Sequence, residues 1–253
     1  MADKPNHQRV FIGGIAGGIG SALAAQLKED GAVVGGFARA SEKLDRFRED
    51  HPDIEVAEAD ATDADAVKQA VEQFADQQDG IDGYVHAVGN VFLKPLHMIR
   101  DEEWDQTLAC NLTSAFYAAR AAVGRMRRQK HGHLVFFSSV AAVSGLANHE
   151  AIGAAKGGII GLVRSIAATY AANGIRSNAI APGLVETAAT ASLTGNEDAR
   201  KFSERMHPLG RLGKPEELAA LARFLLSEEA DWITGQVFSA DGGMGSIVPK
   251  PRA

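Results

Sequence analysis

Five glycines fall within the eight residues Gly13-Gly14-Ile15-Ala16-Gly17-Gly18-Ile19-Gly20, with an apolar run before them and a helical pattern directly after. A strand that turns sharply into a helix needs residues that tolerate positive φ and let a ligand approach the backbone, and the helix N-terminus then offers unpaired N–H groups to a pyrophosphate. Gly14, Gly18 and Gly20 carry those roles. A glycine cluster can also be a tight structural turn, and the strand before it with the helix after it favours the ligand reading. Farther along, His149 and Lys156 lie seven residues apart at the start of an Ala- and Gly-rich helical stretch. Two helical turns separate them, so they share a face, and an imidazole with an ordinary pKa of about 6.5 can give a proton to a developing alkoxide. Beside Glu150, the same histidine can equally be a cap or a solvated residue at the helix start.

The elements that must position these residues alternate. Short runs rich in Val, Ile and Phe predict strands over Val10–Gly13, Val33–Phe37, Ile54–Ala57, Gly83–His86, Leu134–Ser138, Ser177–Ala181 and Val237–Ser239. Between them, a helical period marks Ile19–Asp30, Asp63–Gln78, Asp101–Gln129, Glu150–Ala172 and Pro215–Ser227. Strand and helix in alternation imply βαβ units, a parallel sheet of seven strands, and right-handed crossovers that put helices on both faces. Neither an internal repeat nor a linker-like tract divides the 253 residues, so one domain over 1–253 is expected. Residues 186–206 are small, polar and weakly patterned after the turn Pro182-Gly183, which suits a substrate lid or a plain surface excursion.

With 45% hydrophobic and 23% charged residues, the chain can bury a core without disulfides or metals. A formal net charge of -6 and a pI near 5.8 give no electrostatic footprint for nucleic acid or an anionic membrane surface. Cys110 is the single cysteine, which excludes an internal disulfide and any multi-cysteine metal site and fits a reducing, cytoplasmic compartment. Met1 to Arg9 is polar, unlike a signal or transit peptide, and no apolar run is expected to reach bilayer-spanning length.

The spacing Gly-x-x-x-Gly-x-Gly at Gly14, Gly18 and Gly20 resembles the short-chain dehydrogenase/reductase family, in its 3-oxoacyl-ACP reductase/glucose dehydrogenase-like branch. The resemblance spans roughly residues 9–246 and implies a doubly wound Rossmann-type α/β fold. It implies a nicotinamide dinucleotide held by Gly14, Ala16, Gly18, Ile19, Gly20, Arg39, Asp60, Ala61, Ala87, Gly89, Lys156, Pro182, Gly183, Val185 and Thr187. Gly13 stands where the family usually has Thr. At the end of the second strand, Ala38 takes the place of the acidic residue that NAD-preferring members present to a ribose hydroxyl, and Arg39 follows it. A guanidinium matches phosphate geometry, which favours NADP over NAD, unless Arg39 is only a solvated charge. Asp60 matches the adenine-contacting Asp, while Asp60 or Thr62 also reads as a helix N-cap. Where the family has Asn-Asn-Ala-Gly, the chain has His86-Ala87-Val88-Gly89, and His86 is read as structural rather than catalytic.

In this family, carbonyl reduction and its reverse rest on Asn, Ser, Tyr and Lys. The tyrosine is the acid or base, the lysine lowers its pKa and holds the nicotinamide ribose, the serine binds the substrate oxygen, and the asparagine supports a proton-relay water. The resemblance places these roles on Asn111, Ser139 and Lys156, but the tyrosine position holds Ile152. Ser139 lies thirteen residues before Ile152, the family's own spacing, so the isoleucine is a replacement and not an alignment slip. Tyr84, Tyr117 and Tyr170 are the only tyrosines, and none stands one turn before Lys156. His149 or a water is then expected to supply the proton.

These residues predict an NADP-preferring oxidoreductase acting on a small carbonyl or alcohol, with a catalytically silent NADP-binding sensor or partner subunit as the alternative. The substrate would be read by the lid and by Val143–Asn148. The resemblance also implies a homotetramer or dimer packed through the helices Asp101–Gln129 and Glu150–Ala172. The small residues of the second helix permit close helix approach or packing on the sheet.

Overall fold

A computed structural model describes residues 8–248, and the outer ends of the expected 1–253 domain, including most of the polar N-terminal segment, lie outside them. Its strands are β1 (Arg9–Gly13), β2 (Val33–Ala38), β3 (Glu55–Glu58), β4 (Gly83–His86), β5 (Gly132–Phe137), β6 (Ile175–Pro182) and β7 (Val237–Ala240). They form one parallel sheet in the order β3-β2-β1-β4-β5-β6-β7. Every residue of β4 and β5 is buried, as strands covered on both faces must be, and their sequences are apolar or small apart from His86 and His133.

The helices are α1 (Gly18–Glu29), α2 (Glu42–Asp50), α3 (Ala64–Gln77), α4 (Asp101–Leu108), α5 (Ser114–Gln129), α6 (Val140–Ser144), α7 (Glu150–Tyr170), α8 (Glu197–Met206) and α9 (Pro215–Leu226). One face of the sheet packs Phe11, Phe37, Tyr84 and Phe136 against α3, α5 and α7. The other packs Val10, Ile12, Val85 and Val135 against α1 and α9. The strand order reverses between β1 and β4, whose ends pair Gly13 with His86. Chains diverge to opposite faces there, so a crevice opens beyond the strand ends.

Three differences from the sequence reading have local causes. The expected helix Asp101–Gln129 is α4 and α5 joined by a π-helical turn, Ala109–Thr113. The unpredicted α2 buries only Leu44 and Phe47 in a run of charges, and is started by Ser41, whose Oγ accepts from Leu44 N at 3.3 Å. Within the expected lid, α8 buries no side chain and depends on Asn196, whose Oδ1 accepts from Ala199 N at 2.8 Å. A fourth is a correction. Glu150–Asn173 is long and apolar enough to cross a membrane, with a mean hydropathy of 1.3, because Ala, Gly and Ile dominate it. Its inner face, including Ile159, Val163 and Ile166, is buried in the core.

Candidate active site

Gly14 takes φ +79°, and its N donates to Phe37 O at 2.8 Å. A Cβ there would meet the Ala87 backbone at 3.0 Å, and one on Gly20 would run into Gly14 O, so both glycines let the turn close against β4 and α1. Gly17 caps α1 without any side-chain bond, which leaves the first-turn amides open. Those amides border a cleft of about 500 Å³ whose walls include Ala16, Gly18, Ile19, Ala87, Gly89, Asn111, Lys156, Pro182 and Thr187. Open N–H groups, a cradle that a Cβ would fill and a volume of this size fit a nicotinamide dinucleotide.

Other predicted cofactor residues shape or flank this cleft. Gly14 and Gly20 lie behind the wall, and Val185 is buried in a bridge to Gly213. Gly183 borders a separate cavity of about 320 Å³ beside His207 and Asp241. Ala61 is buried. Asp60 does not cap α3. Its Oδ1 accepts from Thr62 N at 2.8 Å and Thr62 Oγ1 at 2.7 Å, bonds that hold its pKa below the ordinary value, while Asp63 accepts from Asp65 N and Ala66 N as the cap. Arg39 is exposed. Lys43 and Arg46 from α2 line the cleft, and among the described residues none of the three has a carboxylate within ion-pair reach. Sequence reasoning missed Lys43 and Arg46, although both follow Ser41's cap signal on α2, close to Arg39.

At the opposite end of the cleft, Asn111 is fully buried in the π turn. Its Oδ1 accepts from Asn90 N at 3.1 Å, and its Nδ2 donates to Asn90 Oδ1 at 2.7 Å and Thr107 O at 3.1 Å. Asn90, another cleft residue the sequence did not single out, thereby fixes the amide. A Cβ on Gly89 would sit 2.8 Å from Asn111 Oδ1 and 3.2 Å from Lys156 Nζ, so the two groups flank one methyl-sized space. Lys156 is 7% exposed, its Nζ donates to Phe137 O at 2.9 Å, and burial lowers its pKa to about 8.

Ser138 Oγ donates to Lys156 O at 2.9 Å and anchors α7 to the end of β5. The next residue, Ser139, caps α6 by accepting from Ala141 N at 3.2 Å, and its hydroxyl hydrogen stays available. Ser139 and His149 are not among the cleft-lining residues. His149 begins α7 without capping it, and its Nδ1 donates to Ala147 O at 2.7 Å. A carbonyl can only accept, so neutral His149 carries its proton on Nδ1 and a lone pair on Nε2. Ile152 is 4% exposed, a hydrocarbon packed one turn before Lys156.

His86 is structural. It is buried between Tyr84 Oη, 2.8 Å from Nδ1, and Ser114 Oγ, 3.0 Å from Nε2. Ser114 spends its hydrogen on Cys110 O, so Nε2–H donates to Ser114 and the Tyr84 hydroxyl donates to Nδ1. Desolvation, with the Lys156 charge second, pushes His86 down to about 3, so it stays neutral. Gly13 belongs to the same set: a Cβ there would lie 2.6 Å from Tyr84 Oη.

Comparison with known proteins places the chain in a family. The family model described as enoyl-(acyl carrier protein) reductase matches residues 14–245. The chain is similar to 3-oxoacyl-(acyl-carrier-protein) reductase FabG of Thermotoga maritima, 34% identical over 238 residues, which cover 92% of this chain and 96% of that protein. It is 36% identical over 195 residues to the inactive 2-(S)-hydroxypropyl-CoM dehydrogenase 2 of Xanthobacter autotrophicus, covering 75% of this chain and 84% of that one. Among solved structures, ElxO with NADP bound superposes with a TM-score of 0.90 at 25% identity, covering 95% of this chain and all of that one. A tyrosine-to-phenylalanine variant of ElxO, with NADPH bound, gives 0.89. The chain belongs to the short-chain dehydrogenase/reductase family, in its 3-oxoacyl-ACP reductase-like branch.

Proposed function

We propose that this chain is an NADP-preferring oxidoreductase that interconverts a small carbonyl and its alcohol with an active site rebuilt around Ile152. The observation that carries the reading is the single cleft whose wall runs from the open α1 amides to Asn111 and Lys156. The bound cofactor would supply hydride. Gly18, Ile19 and Thr187 would hold its phosphates, Lys156 the nicotinamide ribose, and Arg39, Lys43 and Arg46 would face a 2′-phosphate as unpaired cations. Ser139, with a free hydroxyl hydrogen, would bind the substrate oxygen, and Thr187 with residues 186–206 would close over it. His149 and Lys156 compete for the proton role. The reading is completed by a dimer or tetramer packed through α4, α5 and α7, as the family resemblance implies, working in a reducing, cytoplasmic compartment that the single cysteine fits.

A second reading has its own support. Ile152 is buried hydrocarbon, and one relative is an inactive dehydrogenase. A silent NADP-binding sensor or partner subunit would keep the cleft and lose turnover. NADPH binding followed by fluorescence, with NADPH oxidation against aldehydes, ketones and diketones, separates the readings. Binding with carbonyl-dependent oxidation supports the enzyme, binding without oxidation supports the sensor, and no binding sinks both.

A further inference from the structure

We infer that Lys156 is itself the acid–base group of this site, exchanging a proton between its Nζ and the substrate oxygen; the inference rests on the oxidoreductase reading. The titratable side chains in the cleft wall are Lys43, Arg46, Asp50 and Lys156. The first three belong to α2, and only Lys156 adjoins Asn111 and Gly89. The other proton donors of the region are engaged elsewhere. Tyr84 is buried behind the cleft and bonded to His86, and His149 directs Nδ1 to its own chain outside the wall.

Nζ has three N–H bonds and one protein acceptor, Phe137 O, so two remain for ligands. One can face a ribose hydroxyl and the other a substrate oxygen. No carboxylate pairs with Lys156 among the described residues, and burial, opposed only by Cys110, brings its pKa to about 8, close to the operating range that proton transfer favours. The titratable groups facing it are the Cys110 thiol on the π turn, pushed up by burial, and His86 on β4, held neutral. Neither titrates near pH 8 in competition with it.

In reduction, a bound dihydronicotinamide would supply the hydride, with its electron pair, to the carbonyl carbon, and the π pair of C=O would move onto oxygen. An Nζ–H bond breaks, its electrons stay on nitrogen, and the O–H bond of the alcohol forms. The neutral amine then takes a proton from water through the open cleft, which restores the ammonium. Oxidation runs the same steps backwards, with the neutral amine as base.

Two readouts test this. In the cofactor-free protein carrying ¹³Cε-lysine, the NMR signal absent from Lys156→Arg should titrate with a midpoint near 8, and a midpoint at an ordinary lysine value overturns the proposal. In turnover, wild-type carbonyl reduction should fall above that pH. Lys156→Arg should still bind NADPH yet lose about 100-fold or more, because a guanidinium keeps the charge and cannot release the proton. Lys156→Cys alkylated to a thioether lysine analogue of lower intrinsic pKa should regain turnover, with the limb moved to lower pH. If Lys156→Arg keeps its rate while His149→Ala loses it, the imidazole is the acid and the proposal is wrong. If wild type oxidises NADPH on none of the carbonyls although the lysine titrates near 8, the oxidoreductase reading has failed and this inference falls with it.

Discussion

Two positions at which the sequence is expected to depart from the family's pattern, 86 and 152, have different surroundings. At the end of β4, where the family resemblance expects an asparagine, His86 has a hydrogen-bond partner on each ring nitrogen. His86 links Tyr84 to Ser114, and Gly13 leaves room for the Tyr84 hydroxyl. At the start of α7, the position where the family resemblance expects a phenol holds Ile152, buried and apolar. The difference has a thermodynamic reason. A buried polar group left unpaired costs about 1–3 kcal/mol of stability, so a fold that loses one bond must build another. A proton donor carries no such demand, and hydrocarbon in its place leaves the fold intact and shifts the whole consequence to chemistry.

Restoring the donor is the strongest way to break the comparison. Ile152→Tyr puts a phenol one turn before Lys156, and carbonyl reduction should rise by about 100- to 10,000-fold, the usual share of general acid catalysis. NADPH oxidation under single-turnover conditions reads it directly. Overpacking could cost about 1–3 kcal/mol, so melting temperature is measured alongside. A folded, NADPH-binding variant no faster than wild type would show that other parts of the reacting end have also been lost.

The β4 network predicts the opposite outcome, a large effect on stability. His86→Ala leaves the Tyr84 hydroxyl buried without an acceptor and opens a void, so unfolding free energy in urea should fall by about 2–4 kcal/mol. Tyr84→Phe, which removes a donor and leaves Nδ1 unpaired, should cost less. Acid follows the same logic. With a folded pKa near 3 against an unfolded value near 6.5, the unfolded state binds the extra proton between these values, so stability from His86 is lost as pH falls through that window. Equal urea midpoints at pH 7 and pH 4 in a background without other titrating histidines would contradict it.

These two places also mark what the sequence could and could not say. Seven strands were legible because a parallel sheet covered on both faces demands unbroken apolar runs such as Leu134 to Phe137, and the glycine turn because Gly14 must take a positive φ. Asn111, Ser139, Lys156 and the Ile152 gap were assigned through the family resemblance and its motif spacing. The bonds could not be. That Asn90 clamps Asn111, or that His86 reaches Ser114, depends on which atoms of different elements meet in the folded chain. The helix α2 was missed because nine residues with two buried apolar positions show little period, and with it went Lys43 and Arg46.

Lys156 gives a sharper test, since it combines both behaviours. Its pKa is lowered from 10.5 to about 8 by burial, so between these values the unfolded chain binds more protons and wild-type stability rises with pH. Below 8 the cost of burying the ammonium is present in full. Lys156→Met removes that cost and leaves Phe137 O without its donor, for a net gain on the order of 1 kcal/mol at pH 7 that shrinks as pH rises through the window. Differential scanning calorimetry at pH 7 and pH 10 compares them, and a variant less stable than wild type at both would show that the lysine stabilises the fold.

The cofactor end sharpens the comparison from the other side, because nothing there needs rebuilding if the cations bind phosphate. Arg39, Lys43 and Arg46 make no ion pairs among the described residues, so substituting one does not leave a carboxylate stranded and should change the melting temperature little. Each charge-assisted contact with a phosphate is worth about 1–2 kcal/mol, so each Ala variant should weaken NADPH by about tenfold and NADH hardly at all. Isothermal titration with both cofactors measures the ratio. Salt supplies a control, since the NADPH preference of wild type should shrink with ionic strength while that of the triple variant is flat. If NADPH and NADH weaken together, the cations act on the shared pyrophosphate. If neither weakens, the three side chains are solvated charges, and Ala38 alone would leave the cleft without a means of choosing between the two cofactors.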